Sequence, residues 1–99
     1  MDIHQVKKMI DNEDVTIVDI RDEQSYVQGH IAGAVILNRD NLTDFITNTD
    51  KEKPVICYCF HGVSSQDAAA FLQEQGFMNV HSMEGGFELW KGTYPVVAG

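Results

Sequence analysis

Two cysteines, a histidine and two serines fall within the run Cys57-Tyr58-Cys59-Phe60-His61-Gly62-Val63-Ser64-Ser65. The apolar stretch VICYC predicts a buried strand that ends on Cys59, and FHGV predicts a turn in which Gly62 is free to take unusual backbone angles. Ser64 followed three residues later by Asp67 has the spacing of a capping box, so Ser64 is expected to cap a helix whose buried face is Ala68, Ala69 and Leu72 and whose stop is Gly76. A thiol in that position meets loop N–H groups and the positive end of a helix, and a thiolate is what both stabilise. Free cysteine ionises near ~8.5, and a helix N-terminus can bring that to between ~3.5 and ~7.5. Cys59 is therefore the candidate nucleophile. For an arbitrary cysteine a buried structural role is the commoner one; the Gly-containing turn and the helix start set it aside here.

Cys57 lies two residues back, on the same strand face but deeper, with no helix terminus to activate it. It is expected to be a small core residue, since neighbouring cysteines on one strand make a strained disulfide. Cys57, Cys59 and His61 do not suggest zinc, which wants four ligands and C-x2-C or wider spacing. No metal or other cofactor is expected.

The surrounding elements alternate between short apolar runs and short amphipathic ones, which is the pattern of an α/β fold. Val6, Met9 and Ile10 mark a first helix, VTIVD a strand covered on both faces, and Asp22 the cap of a short helix that Gly29 ends. AVILN predicts a second strand, Leu42, Phe45 and Ile46 a further helix, VHS a fourth strand, and GGFELW a last helix with Phe87 and Trp90 in the core. Right-handed crossovers then imply a parallel sheet with helices on both faces, without fixing the strand order. Ligands bind at the carboxyl ends of such strands, which is where Cys59 falls.

Composition bounds the rest. The 99 residues, 43% of them apolar, suit one domain spanning 1–99. Seven basic residues scattered among fifteen acidic ones give a formal charge of −8, which disfavours nucleic acid and anionic membranes. No apolar run approaches the ~18 residues of a membrane span, and MDIHQVKKMI lacks the layout of a secretory signal. The chain reads as cytoplasmic, with both cysteines kept as thiols.

Taken together, VDIRDEQSYVQGHIAGA, CFHGVSS and GGFELW resemble the three signatures of the single-domain rhodaneses, most closely the GlpE-type thiosulfate sulfurtransferases, over nearly the whole chain. The resemblance implies about five parallel strands, with Ile3 in a short first one. It also implies a reaction in which Cys59 takes the outer sulfur of thiosulfate as a persulfide and passes it to cyanide or to a dithiol such as thioredoxin. By position, Phe60, His61, Gly62, Val63 and Ser64 match the substrate-binding loop, and Ser65 follows on the helix. The loop carries no Arg or Lys, so anion capture falls to backbone amides, hydroxyls and His61, which stands between an anion contact and a merely exposed residue. Asp19 and Arg21 are expected to pair or to fix nearby loops, with contact between Arg21 and substrate left open. His30 is expected to be a hydrogen-bonded scaffold residue, since direct attack by a thiolate needs no base.

Three other functions compete. Cysteine phosphatases of the Cdc25 kind share the architecture but need a longer loop and an Arg six residues after the cysteine, where Ser65 stands. A non-catalytic rhodanese binding module would typically lack the cysteine. A persulfide carrier in a sulfur relay uses the same thiolate and differs only in its partners.

Overall fold

The computed structural model describes residues 1–99. In chain order it comprises α1 (Ile3–Asn12), β1 (Thr16–Asp19), α2 (Glu23–Gln28), β2 (Val35–Ile36), α3 (Leu42–Asn48), β3 (Val55–Tyr58), α4 (Ser64–Glu74), β4 (Val80–Ser82) and α5 (Gly86–Lys91). All strand pairings are parallel and the sheet order is β2-β1-β3-β4. The chain steps from β1 to one edge and then crosses back to the far side of β1. That reversal opens a crevice at the carboxyl ends of β1 and β3.

Side chains alternate across the sheet with period two. Ile17, Ile56 and Tyr58 pack with Ile3 and Val6 of α1 and with Phe87 and Trp90 of α5. Val18, Val55 and Cys57 face the other way, against Ala69 and Leu72 of α4 and the half-buried Leu42, Phe45 and Ile46 of α3. Helices thus cover both faces, as the near-continuous apolar strands require. No helix is long and apolar enough to cross a membrane.

Three expectations need correction. The sheet has four strands rather than five, because Ile3 opens α1. The Asp2 carboxylate accepts the Gln5 N–H at 2.8 Å and the Gln5 side chain accepts the Asp2 N–H at 3.0 Å, so a reciprocal capping box starts a helix where a strand was expected. AVILN contributes only the edge pair Val35–Ile36. Asn38 accepts the N–H groups of Asp40 and Asn41, and Asn41 returns bonds to the Asn38 N–H and the Ile36 carbonyl, so side chains take over the backbone groups that a longer strand would have used. Cys59, expected as the last residue of its strand, lies one position beyond β3.

Candidate active site

The sulfur of Cys59 sits where the turn after β3 enters α4. It accepts the N–H of Gly62 at 3.1 Å and the N–H of Ser65 at 3.3 Å, and the Ser65 hydroxyl lies 3.3 Å away. Ser64 does not cap α4, contrary to expectation; the N-cap is Val63, which offers no side-chain acceptor. An N-cap side chain usually receives the N–H of the second or third helical residue. Here Cys59 Sγ receives the second, so the nucleophile candidate itself terminates the helix. Burial pushes the thiol up, but the Ser65 hydroxyl and the N–H groups of Ser65, Gly62 and His61 outweigh it and bring Cys59 below the ordinary thiol value. Cys57 has no such donors, and burial alone pushes it up to about 12.

The donors point inward because α5 holds the loop carbonyls outward. Phe87 N–H donates to the Cys59 carbonyl at 2.8 Å and Glu88 N–H to the Phe60 carbonyl at 3.1 Å, so free amides at the start of α5 are satisfied by the loop. Close approach depends on glycine at two places. A Cβ on Gly86, at φ +63°, would stand 2.5 Å from the Phe60 carbonyl oxygen, and one on Gly62, at φ +89°, would stand 2.9 Å from the Gly85 nitrogen.

Asp19 and Arg21 form the buried pair that their spacing suggested. Arg21 Nη2 donates to Asp19 Oδ2 at 2.7 Å and to the Gly29 carbonyl at 2.6 Å, while Nε reaches both carboxylate oxygens at 3.1 Å. The guanidinium carbon lies 3.9 Å from the centre of the Phe87 ring and 5.5 Å from that of Phe60. Arg21 thereby ties β1 and the end of α2 to the aromatic residue that opens α5. His30 is buried, stacks on Tyr26 at 3.9 Å between centroids, and bonds the Tyr26 carbonyl through Nδ1 at 2.8 Å. It belongs to the scaffold.

Of the loop residues, Cys59, Phe60, His61, Val63 and Ser64 line one cleft of about 190 Å³. Val63 is 72% exposed and Phe60 40%, whereas Gly62 is buried under the β4–α5 connection. Ser65 is wholly buried beneath the sulfur and turns away from the cleft. A larger cleft of about 580 Å³ lies between β2, α3 and the 48–53 turn, and neither cysteine nor histidine lines it. Sequence reasoning passed over one neighbour of the site. Ser82, at the end of β4, places its Oγ 2.6 Å from that of Ser65. A hydroxyl at the carboxyl end of VHS was the available signal.

A buried thiol ringed by N–H donors at the end of a parallel strand is suited to nucleophilic sulfur chemistry. The model of the rhodanese-like domain family matches residues 2–93. The chain belongs to the rhodanese family. Among curated rhodanese relatives, the thiosulfate sulfurtransferase GlpE of Pseudomonas entomophila is 54% identical over 84% of this chain and 76% of its own length. The protein of the same description from Pseudoalteromonas translucida is 47% identical over 93% of this chain and 88% of its own. Among solved structures, the rhodanese-like domain of an Anabaena protein superposes with a TM-score of 0.87 at 27% identity, covering 99% of this chain and 77% of that one. A rhodanese-related protein from Thermoplasma volcanium gives 0.84 at 26% identity over 100% and 97%.

Proposed function

We propose that this rhodanese is a thiosulfate sulfurtransferase acting through a persulfide on Cys59. The observation that carries it is the set of donors converging on one sulfur, Gly62 N–H, Ser65 N–H and the Ser65 hydroxyl, which favours the thiolate despite burial. The Cys59 thiolate attacks the outer sulfur of thiosulfate. A new S–S bond forms, the S–S bond of thiosulfate breaks, and its electron pair leaves with sulfite. The product, Cys–S–S⁻, is again an anion that the loop amides can hold. Cyanide then removes the outer sulfur as thiocyanate and restores the thiolate, or a thiol takes it as its own persulfide.

Phe60, His61, Val63 and Ser64 form the surface that receives the donor, Gly62 and Ser65 hold the sulfur from below, and no Lys or Arg side chain bonds to it. An apolar rim of Phe60 and Val63 favours a protein dithiol such as thioredoxin as the acceptor over cyanide, because such a partner can cover both side chains. The cytoplasm, where both thiols stay reduced, is the fitting compartment, with residues 1–99 acting as one rhodanese domain, without a membrane or nucleic-acid partner. Intact-protein mass spectrometry after incubation with thiosulfate tests the assignment. A gain of one sulfur, removed by cyanide or dithiothreitol and absent in Cys59→Ser, is the expected result; no adduct on the wild type would leave a binding module instead.

A further inference from the structure

We propose that Ser82 is a positioning residue for Cys59, acting through Ser65 to hold a hydroxyl proton on the sulfur. This rests on Cys59 being the sulfur-carrying nucleophile. The parallel register pairs Cys57 with Ser82, which brings the Ser82 hydroxyl to the α4 face of the sheet, one strand over and a step below Cys59. There it lies 2.6 Å from Ser65 Oγ, at the short end of the range for O–H···O bonds, and Ser65 Oγ lies 3.3 Å from Cys59 Sγ. The three atoms form one chain, Sγ to Oγ to Oγ.

Counting protons gives the chain its direction. A thiolate has no proton to offer, so the single hydroxyl proton of Ser65 must point at Sγ. The Ser65 oxygen is then free to accept, and the Ser82 hydroxyl is its donor. When Cys59 is protonated, the order reverses: S–H donates to Ser65, and Ser65 to Ser82. Ser82 therefore serves both states, and in the ionised one it polarises the Ser65 O–H toward sulfur. Ser65 is wholly buried, and the Ser82 hydroxyl is the neighbour that reaches its oxygen. The Ser82 hydroxyl has no other protein partner, and the backbone around it is already paired, since Met83 N–H donates to the Cys57 carbonyl.

The test is the pH dependence of iodoacetamide alkylation of Cys59, read by peptide mapping so that Cys57 does not contribute. Ionisable groups on the surrounding elements are Cys57 and Tyr58 on β3, His61 in the loop, Asp67 and Glu74 on α4, His81 on β4, Glu84 before α5, and Glu88 and Lys91 on α5; none bonds through its side chain to Cys59 Sγ or to either serine hydroxyl. Ser82→Ala is expected to raise the midpoint by about half a pH unit, equivalent to about threefold less thiolate below the midpoint. Ser82→Thr, which keeps the hydroxyl, should restore it. In a Ser65→Ala background, Ser82→Ala should add nothing, because the relay is already cut. An unchanged midpoint in Ser82→Ala, an equal shift in Ser82→Thr, or additivity with Ser65→Ala would each overturn the proposal. Should Ser82→Ala fail to fold, Ser82→Cys keeps the size with a weaker donor, and an unchanged midpoint there overturns it equally. The midpoint is read without thiosulfate, so a wild type that gains no sulfur would count against the sulfurtransferase assignment and leave the relay to its own readout.

Discussion

Cys57 and Cys59 are the same side chain two residues apart, and their surroundings drive them in opposite directions. Cys57 is sealed against α4 with no donor in reach; Cys59 meets two N–H groups and a hydroxyl. Cys59→Ser is therefore expected to abolish sulfur transfer while leaving the fold intact, whereas Cys57→Ser should keep most of the turnover and lose about 1–3 kcal/mol by burying a hydroxyl. Steady-state thiocyanate formation and urea denaturation measure the two effects. The proposed nucleophile would have to be reassigned if Cys57→Ser were folded and inactive. The pH dependences should also diverge. Alkylation of Cys59 should reach half its maximum below the ~8.5 of a free thiol, and activity should fall as pH drops through that midpoint. For Cys57 the folded value of about 12 lies above the unfolded one, so the protein binds more protons folded than unfolded between them. Its contribution is complete below ~8.5 and is lost as pH rises toward the folded value. The urea midpoint should decline across that window, less steeply in Cys57→Ala. Burial also pushes the Tyr58 phenol up, so some decline from ~10 upward should persist in that variant.

At the scale of elements, the loop is shaped by a helix that does not touch the sulfur. The first amides of α5 take the carbonyls of Cys59 and Phe60, and that contact is possible only because Gly86 has no side chain. Gly86→Ala would drive a methyl group into the loop backbone from a left-handed conformation that costs about 1–3 kcal/mol in itself. The loop must then move away from α5 and its N–H groups turn off the sulfur. The expected outcome is a Cys59 alkylation midpoint raised toward that of a free thiol, together with at least that loss of stability in urea. Retention of the wild-type midpoint would show that α5 does not orient the loop.

The whole molecule is held at the site end by a charge pair taken out of water. Asp19 is wholly buried and the Arg21 side chain is 3% exposed, joining β1, the end of α2 and α5 in one cluster. Removing one partner leaves an unpaired buried charge, so Arg21→Met alone is expected to cost about 3–5 kcal/mol. That is a large share of the ~5–15 kcal/mol that holds a domain of this kind together. Asp19→Leu combined with Arg21→Met should recover most of the loss, as buried pairs replaced by apolar residues often do. Urea denaturation of the single and double variants decides it; a double variant no more stable than Arg21→Met would mean that the pair stabilises the fold beyond cancelling its own desolvation.

Much of this protein was legible in one dimension because local rules fixed it. Continuous apolar runs placed β1 and β3, period 3.6 placed α1, α3 and α4, and a thiol at a strand end before Gly62 marked Cys59. Those signals involve residues within a few positions of each other. The strand order, the four-stranded sheet and the outward hold on the loop were not readable, since they join residues far apart in sequence. Two further expectations failed, for different reasons. The strand at Ile3 was implied by the resemblance, whereas the Asp2 and Gln5 side chains close a local box that starts a helix there. Ser64 had capping-box spacing, but β3 delivers Cys59 Sγ to the amide of Ser65, and a competing acceptor from outside the helix decides which atom ends it. The local mark of Ser82, a hydroxyl at the carboxyl end of VHS, does not say which residue it meets. Its place beside Ser65 exists only because β4 pairs with β3 in a register that sets it opposite Cys57, and register is a property of the folded sheet.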